Sequence, residues 1–160
     1  MSAVLPGRPE HEEWMRRALA EAEEAARVGE VPIGAVVVHH GPDGDRLIAI
    51  RHNERESTAD PTAHAEVLAL RDAAAALGRW RLDDCTMVVT LEPCPMCAGA
   101  LWAARIGGVV TGAVNTDAGS LGTLYHLGQD PRLNHEFAVR SGVCAEQAAA
   151  ALREFFAHRR

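Results

Sequence analysis

His64-Ala65-Glu66 and, about thirty residues later, Pro93-Cys94-Pro95-Met96-Cys97 together offer three metal ligands and one carboxylate that is not a ligand. Neutral imidazole and thiolate suit zinc, and a catalytic zinc keeps three protein ligands with its fourth tetrahedral position open to water. His64, Cys94 and Cys97 fill the three protein positions. Glu66 is close enough in sequence to reach a water at the open position and to carry its proton. Zinc lowers the pKa of that water toward neutrality, so the combination describes a hydrolytic centre holding one Zn2+. A structural zinc module that binds a partner without catalysis needs a fourth ligand, for which His39, His40, His52 and His126 are the candidates, and it has no use for Glu66. The other two cysteines, Cys85 and Cys144, stand isolated on apolar segments, where small core thiols are expected rather than disulfide partners.

The elements that must position these side chains alternate in type. Apolar residues recur near helical spacing from His11 to Arg27, among them Trp14, Ala18, Leu19, Ala22 and Ala25, and Gly29 supplies a stop. Pro32 to Val38 and Arg46 to Ile50 are apolar runs on either side of the turn residues His40-Gly41-Pro42-Asp43-Gly44, which predicts a strand pair. Asp60-Pro61-Thr62 carries start signals for an alanine-rich helix over Thr62 to Leu77, opening at the His-x-Glu motif. Cys85 to Leu91 reads as a buried strand, Pro95 to Arg105 as a third helix and Gly107 to Val114 as another strand. A glycine-rich loop over Gly112 to Gly122 follows, and Ala145 to His158 forms a closing helix. Such alternation predicts an α/β domain with helices on both sheet faces. Both metal motifs fall at helix starts, where the partial positive charge lowers thiolate pKa.

With 160 residues, 48% hydrophobic and 24% charged, the chain suits one domain over residues 1–160. It shows no apolar run of signal-peptide or membrane-span length, so a cytoplasmic protein without a membrane partner is expected. The net charge of −6 and pI near 5.7 exclude a surface that binds nucleic acid as one basic field, and any nucleic acid must be held locally. All sixteen Lys-or-Arg positions are arginine. A guanidinium grips phosphate bidentately and stacks on bases, although a GC-rich genome would give the same bias.

The order H-x-E then P-C-x-x-C is the signature of the zinc nucleobase deaminases. Beyond it, from about Trp14 to Arg160, the chain resembles the bacterial tRNA-specific adenosine deaminases. The segments that carry the resemblance are Val31-Pro32-Ile33-Gly34-Ala35-Val36-Val37, His52-Asn53, Asp60-Pro61-Thr62-Ala63-His64-Ala65-Glu66, Thr90-Leu91-Glu92-Pro93-Cys94-Pro95-Met96-Cys97-Ala98-Gly99-Ala100, Arg105-Ile106, Leu133-Asn134-His135 and Phe155-Phe156-Ala157-His158-Arg159-Arg160. The resemblance implies a three-layer α/β/α sandwich with a five-stranded mixed sheet, of the cytidine deaminase type. It also implies a homodimer that grips a tRNA anticodon stem-loop and converts the wobble adenosine (position 34) of an arginine tRNA to inosine. By the same likeness His64, Cys94 and Cys97 hold one Zn2+ per subunit and Glu66 shuttles protons. Asn53 then hydrogen-bonds the purine, with the backbone around Ala65 and Pro93 reading its edge, and Arg159 and Arg160 meet RNA phosphates. Asn134 and His135 are RNA contacts or a structural cap, and Trp80 and Trp102 belong to the core or the dimer interface. Of Phe155 and Phe156, adjacent on a helix, one is core. A cytosine, guanine or nucleoside deaminase of the same fold is the alternative enzyme, and a non-enzymatic zinc or RNA-binding module the alternative from another class.

Two positions depart from the resemblance. The family usually has aspartate where Asn115 stands and lysine where Asp117 stands. An amide donates as well as accepts, so Asn115, in a loop that by resemblance touches nucleotides beside the target, is expected either to relax a demand for the ribose hydroxyl or to reflect ordinary loop drift. Asp117 is expected to weaken backbone binding.

Overall fold

Side-chain alternation along the strands decides the layering of residues 4–159, the part of the chain that the computed structural model describes. The elements are α1 (Pro9–Arg27), β1 (Gly34–Gly41), β2 (Gly44–His52), α2 (Arg55–Thr58), α3 (Ala65–Leu77), β3 (Cys85–Leu91), α4 (Pro95–Ala103), β4 (Gly108–Ala113), β5 (Ala138–Arg140) and α5 (Ala145–Ala157). One five-stranded sheet has the order β2-β1-β3-β4-β5. The β1 strand is antiparallel to β2 and β3, whereas β3, β4 and β5 run parallel. Ala35, Val37, Met87, Val89 and Val109 pack on one face with Ala65, Ala69, Ala98 and Leu101 of α3 and α4. Val36, Val38, Val88 and Val110 pack on the other with Trp14, Met15 and Ala18 of α1, and the start of α5 joins that side. Period-two strands with both faces apolar thus require helices above and below, and the three-layer mixed α/β/α sandwich is borne out.

The boundaries move for local reasons. Helix α1 begins at Pro9 rather than His11, because proline is pre-set for the first helical position, where no N–H is needed. Helix α3 begins at Ala65 rather than Thr62: the Asp60 carboxylate accepts the N–H and hydroxyl of Thr62 and holds an Asx turn in front of the helix. Helix α4 stops at Ala103, and Arg105 turns back with a positive φ of 57°. The β1–β2 hairpin narrows its turn to Pro42-Asp43. Two elements are not anticipated from residue patterns, the four-residue α2 and the short β5, which supplies the fifth strand. Helix α1 crosses β1 closely: a Cβ at Gly34 would lie 1.9 Å from the Ala18 carbonyl oxygen, so only glycine fits there. No helix among the described residues is long and apolar enough to cross a membrane.

Candidate active site

The parallel pair β3 and β4 ends on one sheet edge, and the chain leaving β3 there is Glu92-Pro93-Cys94. That edge, beyond the carboxyl ends of parallel strands, is where α/β folds place ligands. Asn53, which follows β2, is brought to it by N–H donation to the Ile33 carbonyl, and the neighbouring Glu54 N–H bonds Ala63 beside His64. His64 and Cys94 occupy the N-cap positions of α3 and α4, yet neither side chain caps its helix. Released from capping, both turn toward each other. His64 Nδ1 lies 3.7 Å from Cys94 Sγ and 3.4 Å from Cys97 Sγ, and the three donor atoms all fall within 4.8 Å of one another.

That donor set fits zinc. Tetrahedral bonds of roughly 2.3 Å to sulfur and 2.05 Å to nitrogen place N and S about 3.6 Å apart, between the two distances observed. The four cysteines are free thiols. Cys94 is pushed down to about 4, first by the hydrogen bond from the Cys97 thiol and then by His64, which favours the thiolate form that a metal ligand needs. The same shared proton, with burial, pushes Cys97 up, and the bond to Cys94 pushes His64 up. His64, Cys94 and Cys97 form the one group of three His, Cys, Asp or Glu ligand atoms with this convergence among the described residues. Three of the four fourth-ligand candidates are engaged elsewhere, His39 with Asp84, His40 with Asp45 and Thr86, and His52 with the Asn53 carbonyl, and His126, whose buried Nδ1 has no hydrogen-bond partner, lies outside the convergent group. Glu66 stands outside the ligand cluster, buried on α3, and burial pushes its carboxyl up.

Two polar oxygens in this neighbourhood have no protein partner although fully buried, Asn53 Oδ1 and Glu66 Oε2. Burying an unpaired acceptor costs stability, and a buried group left without a partner calls for a reason, of which a bound ligand is one. Ala65 is the first helical residue of α3 and fully buried, so its N–H has no intrahelical acceptor. The Pro93 carbonyl already accepts the Ser120 N–H.

Sequence reasoning passed over Glu92, named only as part of a motif. It is buried, and its carboxylate accepts the N–H groups of Asn115, Leu121 and Thr123 and the Thr123 hydroxyl. Glu92 therefore ties the loop 114–137 to the cysteine motif. The available signal was an acidic residue closing an otherwise apolar strand, which burial forces to find donors. Asn115 lies in that loop, and its amide is spent on the loop's own fold: Oδ1 accepts the N–H groups of Asp117 and Ala118, and Nδ2 donates to the Glu92 carbonyl. Asp117 is exposed.

The remaining expected contacts sit farther along the chain. Arg159 donates to the Gly29 carbonyl and lies 4.1 Å above the Phe155 ring, while Arg160 lies outside the described residues. Phe155 is half-buried and Phe156 is exposed, so neither ring belongs to the core, and the partly covered one lies under the Arg159 guanidinium. His135 donates to the Ile106 carbonyl, a structural bond, and Asn134 is exposed. Trp80 is exposed beside Val67, Leu70, Ala100 and Ala103 in an apolar groove on the α3–α4 face. Trp102 is half-buried, with the Arg105 guanidinium over its ring.

Residues 9–160 match the sequence profile of the MafB19-like deaminases. The chain is 48% identical over 143 residues to the tRNA-specific adenosine deaminase of Bacillus subtilis, covering 89% of this chain and 86% of that one. A solved structure from a study of A-to-I editing by tRNA:A34 deaminases at the wobble position superimposes with a TM-score of 0.81 and 40% identity, covering 88% of this chain and 99% of the other. A guanine deaminase from Nitrosomonas europaea superimposes with a TM-score of 0.75 at 27% identity, covering 98% and 88%.

Proposed function

We propose that this chain, which belongs to the MafB19-like deaminase family and within it to the tRNA-specific adenosine deaminases, converts adenosine to inosine at the wobble position of a tRNA anticodon. The observation that carries the reading is the convergence of His64, Cys94 and Cys97 beside two buried, unpartnered oxygens, Glu66 Oε2 and Asn53 Oδ1. The donor set is that of Zn2+, one per subunit, and when bound the ion supplies Lewis acidity and an activated nucleophilic water at neutral pH. Glu66 does the proton work. Its carboxylate takes a proton from the water that adds at adenine C6 and delivers it to N1, and it then takes the remaining proton of the new C6 hydroxyl and passes it to the departing amine as the C6–N bond breaks and the C6 carbonyl forms. The balance is adenosine plus water to inosine plus ammonia. The burial that pushes Glu66 up suits a group that must both accept and release a proton in one cycle. Asn53 Oδ1 takes a hydrogen bond from the purine, and the free N–H at the start of α3, at Ala65, faces the same edge.

A base held in an anticodon loop is unpaired, so presenting it to a recessed site carries no cost of opening a duplex. Support for an arginine tRNA is the resemblance in the Pro93 to Ala100 and Phe155 to Arg160 segments. A homodimer is supported by the exposed apolar groove around Trp80, which a second chain would cover. We assign the cytoplasm as the compartment that holds such a substrate. The testing experiment follows ammonia release and inosine formation from a synthetic anticodon stem-loop with adenosine at the wobble position, beside free adenosine, adenine, cytosine and guanine. Inosine from the stem-loop is the expected result. Turnover confined to a free base or nucleoside would keep the metal chemistry and overturn the RNA substrate.

A further inference from the structure

The loop 114–137 ends its first half in a tight hairpin. Leu121 faces His126 across an isolated antiparallel bridge, and the Gly122 N–H donates to the Tyr125 carbonyl. Gly122 has φ +136°, a conformation that side chains rarely adopt, so the turn is built around it. The tip is fixed from below as well. The N–H groups of Leu124 and Tyr125 both donate to the Gly119 carbonyl, and that of Leu127 donates to Ser120. Glu92 takes the N–H groups of Leu121 and Thr123, and Pro93 takes that of Ser120. The hairpin is thereby stapled to the two residues that precede Cys94.

On this fixed backbone the two side chains at the tip face solvent. Tyr125, the one tyrosine of the chain, is 58% exposed and Leu124 is 54% exposed. Val114, where the loop leaves β4, is the other exposed large apolar residue of this loop, and Met96, between the two cysteines on α4, is exposed as well. Nothing in the fold needs a bare aromatic ring on a loop whose backbone is already satisfied. With a net charge of −6 the surface as a whole does not draw RNA in, so the arginine contacts need help from uncharged ones. Stacking requires no favourable charge, and a rigidly presented ring loses little entropy on binding.

We propose that Leu124 and Tyr125 form the apolar platform on which an unpaired nucleotide flanking the target adenosine stacks. This rests on the RNA-loop substrate inferred above and names one of its subsites. Tyr125 is a positioning residue: it holds the neighbour so that the target base is splayed into the recess beside Asn53 and Glu66.

The test crosses protein and RNA changes. Wild type, Tyr125→Ala, Tyr125→Phe and Leu124→Ala are assayed on the anticodon stem-loop with all bases present and with each flanking position made abasic in turn. On intact RNA, Tyr125→Ala lowers kcat/KM by about 5- to 150-fold, the range of one base–aromatic stack. Tyr125→Phe stays within about 2-fold, since phenylalanine keeps the ring, and Leu124→Ala falls between. On RNA lacking the stacked base, wild type drops by the same factor and Tyr125→Ala loses nothing more. Equal losses on intact and abasic RNA would overturn the platform, as would no loss at all. A change in subunit association caused by Tyr125→Ala, without any dependence on the RNA base, would assign the ring to a protein contact instead. A wild-type enzyme inactive on every stem-loop would reject the substrate reading itself, which separates the two failures.

Discussion

Asn53→Ala should separate a binding residue from a structural one, because the two roles predict opposite effects on stability. In the free protein Asn53 is 3% exposed and its Oδ1 is bonded to no protein group. An unsatisfied buried acceptor costs roughly 1–3 kcal/mol, which the variant recovers. The lost amide leaves a small cavity, at roughly 24 cal/mol per Å3 a cost below about 1 kcal/mol. The sum lies between about zero and a gain of roughly 2 kcal/mol, so Tm stays level or rises by as much as about 8 °C for a chain of this size. The backbone bonds of Asn53, its N–H to Ile33 and its carbonyl to His52, survive the change. Activity moves the other way. Losing one buried hydrogen bond to the purine should lower kcat/KM on the stem-loop by about 10- to 100-fold. The assay pairs thermal unfolding of the zinc-loaded protein with inosine formation under single-turnover conditions, after confirming unchanged zinc content. A fall in Tm of several degrees with activity lost only in proportion to unfolded protein would refute the assignment, and so would unchanged activity.

Glu66→Gln should cut turnover by about 10²- to 10⁴-fold, the contribution of a positioned acid–base, while zinc content by metal analysis stays at one per chain; loss of the metal would make Glu66 a ligand. Burial would raise the Glu30 carboxyl, but the N–H groups of Ser57 and Glu56 outweigh it and hold it below its ordinary range. A carboxyl depressed in the folded state stabilises above its unfolded pKa and loses that stability as pH falls through the lower folded value. Glu30→Gln should therefore flatten the acid-side fall in Tm below about pH 4.5, and an unchanged acid profile counts against the network. Trp80→Glu should raise the concentration at which the protein dissociates, read by light scattering; a wild type that is monomeric at all concentrations removes the proposed dimer face. Asn115→Asp keeps the acceptor for Asp117 and Ala118 but removes the donor to Glu92 and sets a carboxylate beside that of Glu92. It should destabilise the loop by about 1 kcal/mol and shift the preference for RNA over DNA, and an identical preference ratio would leave Asn115 with its loop-folding role alone.

What could be read from the chain follows from how local each constraint is. His64, Glu66, Cys94 and Cys97 were legible because ligand chemistry restricts residue type at fixed short spacings, and a helix start brings each pair to one end. Cys85–Leu91 was legible to the residue because it is an apolar and β-branched run buried on both faces, its two threonines included. Asn53 was legible only by resemblance, since its meaning lies in what it fails to bond after β2, β1 and α3 have met. Helix α2 has too few residues to show a period, and it exists because Glu30, across the chain, accepts its backbone N–H groups. Glu92 shows the same thing more strongly: one carboxylate at the end of a core strand gathers donors from residues 115 to 123. Both glutamates are buried anions that organise backbone rather than do chemistry, one holding the segment beside Asn53 and the other the hairpin beside Cys94. A chain that is acidic overall can in this way keep its recess rigid without lysines around it. Specificity for an RNA loop then has to come from shape, stacking and a few arginines, which places the discriminating residues on the Glu92-bound hairpin rather than on a basic surface.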